Sequence, residues 1–172
     1  MVVWSPLANH ETAVVTADGR STKILADSTG RFDRFNAFPV INDEQVVAFT
    51  AVLDNGTSGI FATVDGEIET VVNSRGTYRD FGGFISLNNH GVVAFEAVTD
   101  DGVDGIFTGA NPDTHKVVAI GDPLFGSPVT ELAFFREGLN DVGQVAFVAT
   151  LADGTQSVVR ADPVDGAGPS CP

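Results

Sequence analysis

Short apolar runs bracketed by glycine, asparagine and aspartate recur along this chain. The clearest are Val46–Leu53, Val92–Val98 and Val145–Leu151. Neighbouring positions within them are apolar together instead of alternating with polar ones. That pattern predicts strands covered on both faces. The runs are short, rich in β-branched residues and closed by turn residues, which argues against helices. Each run opens with the same phrase. Asn42-Asp-Glu-Gln-Val-Val-Ala-Phe49 returns as Asn88-Asn-His-Gly-Val-Val-Ala-Phe95 and as Asn140-Asp-Val-Gly-Gln-Val-Ala-Phe147.

The repeat divides into four strand-like segments. Segment a is the apolar run. An Asp/Asn-Gly turn follows at Asp54–Gly56, Asp100–Gly102 and Asp153–Gly154, where residues that tolerate positive φ are needed. Segment b is Gly59–Val64, Gly105–Thr108 and Ser157–Arg160. Segment c is Ile68–Val72 and Lys116–Ile120. Segment d is aromatic and interrupted, with Phe32, Phe35 and Phe38, then Tyr78, Phe81 and Phe84, then Leu132, Phe134 and Phe135. At the start, Thr12–Gly19 matches segment b and its turn, Lys23–Asp27 matches segment c, and Val2–Ser5 reads as a degraded segment a. The chain therefore reads as units of about 1–41, 42–87 and 88–139 with a half-unit at 140–163. These form one domain over 1–165, followed by a flexible tail at 164–172. The phrases stand 46 and then 52 residues apart, and the turn-rich stretch Gly121–Pro128 accounts for the difference.

The expected class is all-β, built of tandem four-stranded antiparallel repeats in a β-propeller-like arrangement. A β-prism or a β-trefoil is the alternative, since each uses three units. Two-sided burial of segment a favours stacked sheets. Three blades are too few to close a ring, so a ring would be completed by a second copy, three and a half units doubled giving seven.

Composition sharpens this picture. Nineteen glycines suit many tight turns, and 43% hydrophobic residues provide a core. The net charge of −14 predicts repulsion from phosphate backbones and anionic lipid, so nucleic acid is not an expected partner. No run approaches the length of a membrane span. Met1–Trp4 is followed at once by Ser5-Pro6, so no signal-peptide core opens the sequence. Cys171, the one cysteine, forms no internal disulfide and reads as a free thiol in the tail.

Three sets of residues are candidates for chemistry. Each d segment carries arginine beside an acid: Asp33-Arg34, Arg79-Asp80 and Arg136-Glu137. Lying among aromatics, Arg34, Arg79, Asp80, Arg136 and Glu137 are the nominated ligand-binding residues, against a simpler reading as ion pairs or arginine–phenylalanine stacks between units. Asp100, Asp101 and Asp104 echo a calcium loop. Gly102 stands where a ligand is required, and an acidic hairpin turn is the simpler reading. The recurrent Asn42, Asn88 and Asn140 read as Asx-turn scaffold. His10, His90 and His115 lack metal-ligand spacing, and no nucleophile elbow, P-loop or dinucleotide fingerprint occurs.

The phrase Asn-x-x-Gly-x-x-Ala-Phe resembles the repeat of the NxxGxxAF choice-of-anchor family of bacterial exported proteins. Asn88, Gly91, Ala94 and Phe95 match, as do Asn140, Gly143, Ala146 and Phe147. The first phrase departs at Gln45, which predicts a different turn there. The resemblance implies a repeat fold in an extracellular or cell-surface setting and no particular chemistry. The expectation is thus a non-enzymatic binding or structural module. It recognises a protein or glycan or builds an assembly, as a homo-oligomer such as a ring-completing dimer or as part of something larger. A propeller-type glycan hydrolase or lyase is the alternative. No cofactor beyond calcium is in view.

Overall fold

The structure, a computed structural model, describes the backbone of residues 2–6 together with residues 12–36 and 38–163. It is all-β, with antiparallel sheets stacked one on the next in a propeller-like manner. The first sheet holds β1 (Val2–Pro6), β2 (Thr12–Ala17) and β3 (Thr22–Asp27) in sequence order. The second holds β4 (Phe32–Phe35), β6 (Val47–Leu53), β7 (Ser58–Val64) and β8 (Glu67–Asn73), with the short β5 (Val40–Ile41) also on β6. The third runs β9 (Tyr78–Leu87), β10 (Val93–Thr99), β11 (Asp104–Phe107), β12 (Lys116–Ala119). The fourth runs β13 (Pro123–Leu124), β14 (Ser127–Leu139), β15 (Val145–Leu151), β16 (Gln156–Ala161). Segments a, b and c at the N-terminus are β1, β2 and β3. The proposed tail 164–172, with Cys171, and His10 lie outside the described residues.

Segment d pairs with the segment a that follows it. Each full sheet is therefore ordered d-a-b-c, so its phase is shifted by one strand from the repeat units marked by the Asn phrase. The stretch Gly121–Pro128 forms β13 and its turn onto β14, an extra hairpin on the edge of the fourth sheet.

Two-sided burial of segment a produces a strict rule for stacking. On β6, β7 and β8, Ala48 and its partner Ala62, together with Ile60 and its partner Val72, face forward. They pack on Tyr78, Ile85, Phe95 and Phe107 of the third sheet. Ala94, Ile106 and Val118 of the third sheet pack in the same sense on Phe134, Leu139, Val145 and Phe147 of the fourth. Val14 and Ala26 of the first sheet cover Phe32, Phe35, Phe49 and Phe61 of the second. Each interface thus lays a small aliphatic forward face on an aromatic or large aliphatic back face. Edge-to-face contacts such as Phe32–Phe61 at 5.1 Å and Tyr78–Phe107 at 5.0 Å lock the back faces.

The Asn phrase holds the stack together from its side. Asn42, Asn88 and Asn140 each accept on Oδ1 the backbone N–H four residues on, at 2.8–2.9 Å. This is the expected Asx turn. The amide group does more, because Asn42 Nδ2 donates to the Asn88 carbonyl at 2.9 Å and Asn88 Nδ2 donates to the Asn140 carbonyl at 3.2 Å. Beside them, Asn89 Nδ2 bridges Asp43 and Asp141 at 2.8 and 3.0 Å. A ladder of side-chain bonds therefore runs from the second sheet to the fourth.

The turn at Gln45 corrects the sequence expectation. Gln45 has φ 64°, in the left-handed region, against 79° and 80° at Gly91 and Gly143. Its N–H donates to the Asn42 carbonyl at 3.1 Å, the same bond that Gly91 and Gly143 make. The ladder fixes the turn, and Gln45 carries the strain that glycine would avoid.

Candidate interaction surfaces

The d strands bring equivalent positions of successive units to one place. Phe38 and Phe84 meet with ring centroids 5.2 Å apart, and the Arg136 guanidinium lies 5.2 Å above the Phe38 ring. Phe38 precedes β5, Phe84 sits in β9 and Arg136 in β14, so three sheets contribute. Arg136 is here a stacked cation and not a free one.

The other nominated residues do not join it. Arg34 pairs with its neighbour Asp33 at 2.7 Å, both well exposed. Such a pair contributes little. Arg79 is exposed on β9, its guanidinium near Gly102 of the acidic turn. Glu137 is exposed on β14. Arg34, Arg79, Asp80, Arg136 and Glu137 therefore form no common pocket. Period-two alternation and the bulges in the d strands send them to different sides.

Asp80 instead lines a cleft of about 580 Å³ between the third and fourth sheets, with Glu96, Asp104 and Glu131. Sequence reading missed Glu96, which stands inside segment a where Thr50 and Val148 stand in the neighbouring units. A single acid in an otherwise apolar run was the available signal. Gly82 makes room for it: a Cβ there would lie 2.8 Å from the Glu96 Cβ. Burial pushes the Glu96 carboxyl above its ordinary range. The Phe134 backbone N–H partly offsets this, and the Asp104 charge adds to it.

The acidic turn on Asp100, Asp101 and Asp104 is organised from within. The Thr99 hydroxyl donates to the Asp101 carboxylate, and the Val103 N–H donates to Thr99 Oγ1 at 3.0 Å. Among the described residues no group of three or more acids, histidines or cysteines is placed to hold a metal ion. The corresponding turn at Asp153 is likewise closed by its own backbone. The Thr155 N–H, 2.8 Å from Oδ1, holds the Asp153 carboxyl below the usual range.

The remaining surface is the forward face of the fourth sheet. Its register repeats that of the sheets before it, with Phe147 opposite Val159 as Phe95 is opposite Phe107, and Val148 opposite Val158 as Glu96 is opposite Ile106. Ile60 and Ile106 are 0% exposed; Val158, at the same register position, is 85% exposed. Ala48 and Ala94 are buried, whereas Ala146 is exposed. Phe135, next to the buried Phe134 on β14, is 52% exposed. The ladder is open here too, because Asn140 Nδ2 turns back to its own Gln144 Oε1 at 2.7 Å.

The chain matches, over residues 1–161, the model of a family of unknown function, DUF7453. It belongs to this family. No curated protein matches it. In this member of DUF7453 no helix among the described residues is long and apolar enough to cross a membrane.

Proposed function

We propose that the chain is a non-enzymatic β-repeat module, exported or at the cell surface, that builds an assembly through the open end of its sheet stack. One observation carries the reading. Val158 and Ala146 are bare on the last sheet, while their register equivalents are covered on the two sheets before it. An apolar face of stacking type, rimmed by polar turns, marks an interaction surface. The dispersal of the d-segment arginines and acids also favours assembly over catalysis, since a glycan site needs them in one pocket.

The test is the mass of the tagged protein in extracts of cells that make it. The wild type should run above monomer mass and Val158→Arg at monomer mass, with Val103→Arg as an exposed control away from this face. Wild type at monomer mass would refute the proposal.

One observation supports the glycan hydrolase or lyase alternative. Glu96 is half-buried beside Asp104, with its carboxyl pushed toward the neutral form, as a general acid requires. That reading requires a polysaccharide whose cleavage is lost in Glu96→Gln.

A further inference from the structure

In each of the first three sheets the outer edge of strand b carries strand c. β3 lies on β2, β8 on β7 and β12 on β11, always antiparallel. The same backbone bonds tie each pair. The carbonyls of Thr12, Ser58 and Asp104, at the start of each b strand, accept the N–H of Ser28, Ser74 and Ile120 at 3.0, 2.9 and 2.8 Å. Just past the other end of β11, the Thr108 N–H donates to the His115 carbonyl at 2.9 Å. Between these bonds, Val14, Ile60 and Ile106 stand opposite Ala26, Val72 and Val118.

The fourth sheet runs d-a-b and, among the described residues, stops at β16. By register Gln156 takes the place of Asp104, Val158 that of Ile106 and Arg160 that of Thr108. The Leu151 N–H donates to the Thr155 carbonyl at 2.8 Å, which sets the bonded pairs of the β15–β16 ladder at Ala149–Ser157 and Phe147–Val159. The backbone groups of Gln156, Val158 and Arg160 therefore point away from β15. No backbone bond reaches them from that side among the described residues. The edge is not blocked by its own sequence either. β16 has no proline and no acid, and its register with β15 is unbroken. Residues 162–172, which follow it, hold three prolines and two glycines and no apolar run like segment c.

We propose that the open edge of β16 takes up an extended segment of a partner protein, as an antiparallel strand in the place of strand c. The segment is strand-forming, free of proline and neutral or basic, to suit a chain of net charge −14, and it sets valine or alanine opposite Val158. The proposal deepens the assembly reading, on which it rests, by naming what the last sheet binds. In strand addition main-chain bonds supply affinity and the alternate side chains supply selectivity. Gly59 and Gly105 let strand c come so close that a Cβ would lie 2.7 and 2.6 Å from its carbonyls. Ser157 stands at that place on β16, and Ala13 stands there on β2 with β3 still paired. A side chain here holds the added strand further off without preventing pairing.

The probe is a capped, fluorescent peptide of residues 114–122, which contains strand c of the third unit, added to the purified protein and followed by fluorescence polarisation. Its His115, Val118 and Ile120 would make toward Arg160, Val158 and Gln156 the contacts they make in the third sheet. The peptide should bind at least about tenfold more tightly than the same residues in scrambled order, a difference of about 1.4 kcal/mol. Arg160→Pro removes one outward N–H and leaves Ala146 and Val158 in place; it should weaken binding about tenfold, whereas Arg160→Thr should not. Ser157→Gly should tighten binding. Methylation of the peptide's Ile120 nitrogen should weaken it, a test that does not depend on how well Arg160→Pro folds. No binding at millimolar peptide, or binding indifferent to Ile120 methylation, would overturn the edge as the site. Self-association of the purified protein that excludes the peptide and is lost in Arg160→Pro would overturn the partner segment in favour of β16 of a second copy. If the peptide fails while Val158→Arg still abolishes the mass shift in cell extracts, the assembly reading stands on the sheet face alone. Edge binding by a protein that runs at monomer mass in extracts would sink the assembly reading and keep the edge.

Discussion

Truncating Ile106 and Val158 to alanine compares one register position in two settings. Both side chains stand on the forward face of strand b, opposite Glu96 and Val148. Ile106 is 0% exposed because the fourth sheet covers it; Val158 is 85% exposed. Ile106→Ala removes buried methyl and methylene groups and leaves a cavity between two sheets, which costs about 2–5 kcal/mol. Ile60→Ala, equally buried between the second and third sheets, should cost the same. Val158→Ala removes methyl groups already in water and should stay within about 0.5 kcal/mol. For a chain of this size each kcal/mol moves the melting temperature by about 2–4 °C. Val158→Ala should therefore melt within about 2 °C of wild type, and Ile106→Ala at least about 4 °C below it. Urea unfolding followed by circular dichroism, at protein concentrations low enough to keep the chain monomeric, measures both, with the slope against urea unchanged. Equal losses at 106 and 158 would mean that the last sheet is covered within the monomer. A loss below about 1 kcal/mol at Ile106 would mean that the sheets do not stack on this face.

Three further outcomes follow from the same geometry. Gln45→Gly should stabilise by about 0.5–1 kcal/mol, because it relieves a left-handed φ at a non-glycine residue; no gain in urea midpoint would show that the turn is not strained. Asn88→Ala removes both the Asx turn and the rung to Asn140 from a buried position and should cost about 1–3 kcal/mol. Asn140→Ala, which is exposed and makes no rung, should cost less, and equal losses would argue against the ladder. Glu96 has a raised folded-state pKa, so its favourable contribution is full below its unfolded value and is lost as pH rises through its folded value. Glu96→Gln should therefore melt above wild type at pH 7, with the gap closing toward pH 4. A gap that is constant across this range would remove burial of the charge as its cause.

The repeated phrase made the strand pattern legible, since Val46–Leu53, Val92–Val98 and Val145–Leu151 lack the alternation of a one-sided strand. The sheets bury both faces of these runs in the second and third units. Sheet phase was harder to read, because local pattern does not say whether segment d pairs with the segment a after it or closes the unit before it. Gln45 misled for a different reason. A turn held by both ends of the Asn42 amide, its Nδ2 donating to the Asn88 carbonyl and its Oδ1 accepting from the Val46 N–H, overrides the local preference of one residue. The scatter of the arginines and acids depended on bulges such as that between Phe95 and Ala97, which spacing alone does not reveal. The open forward face left only a faint sequence signal, because Val158 looks as apolar as Ile106. Its exposure depends on what stands in front of it.

The ladder spans 46 residues at its first rung and 52 at its second, with nearly the same bond. It therefore gauges the height of a sheet and is indifferent to the length of chain used to build one. The hairpin at Pro123–Ser127 is where the surplus is stored, and Phe125 at its tip is 74% exposed. Loop length and stack geometry are independent variables in this architecture. A peptide tag grafted at Phe125–Gly126 would ride outside the stack and leave the ladder untouched.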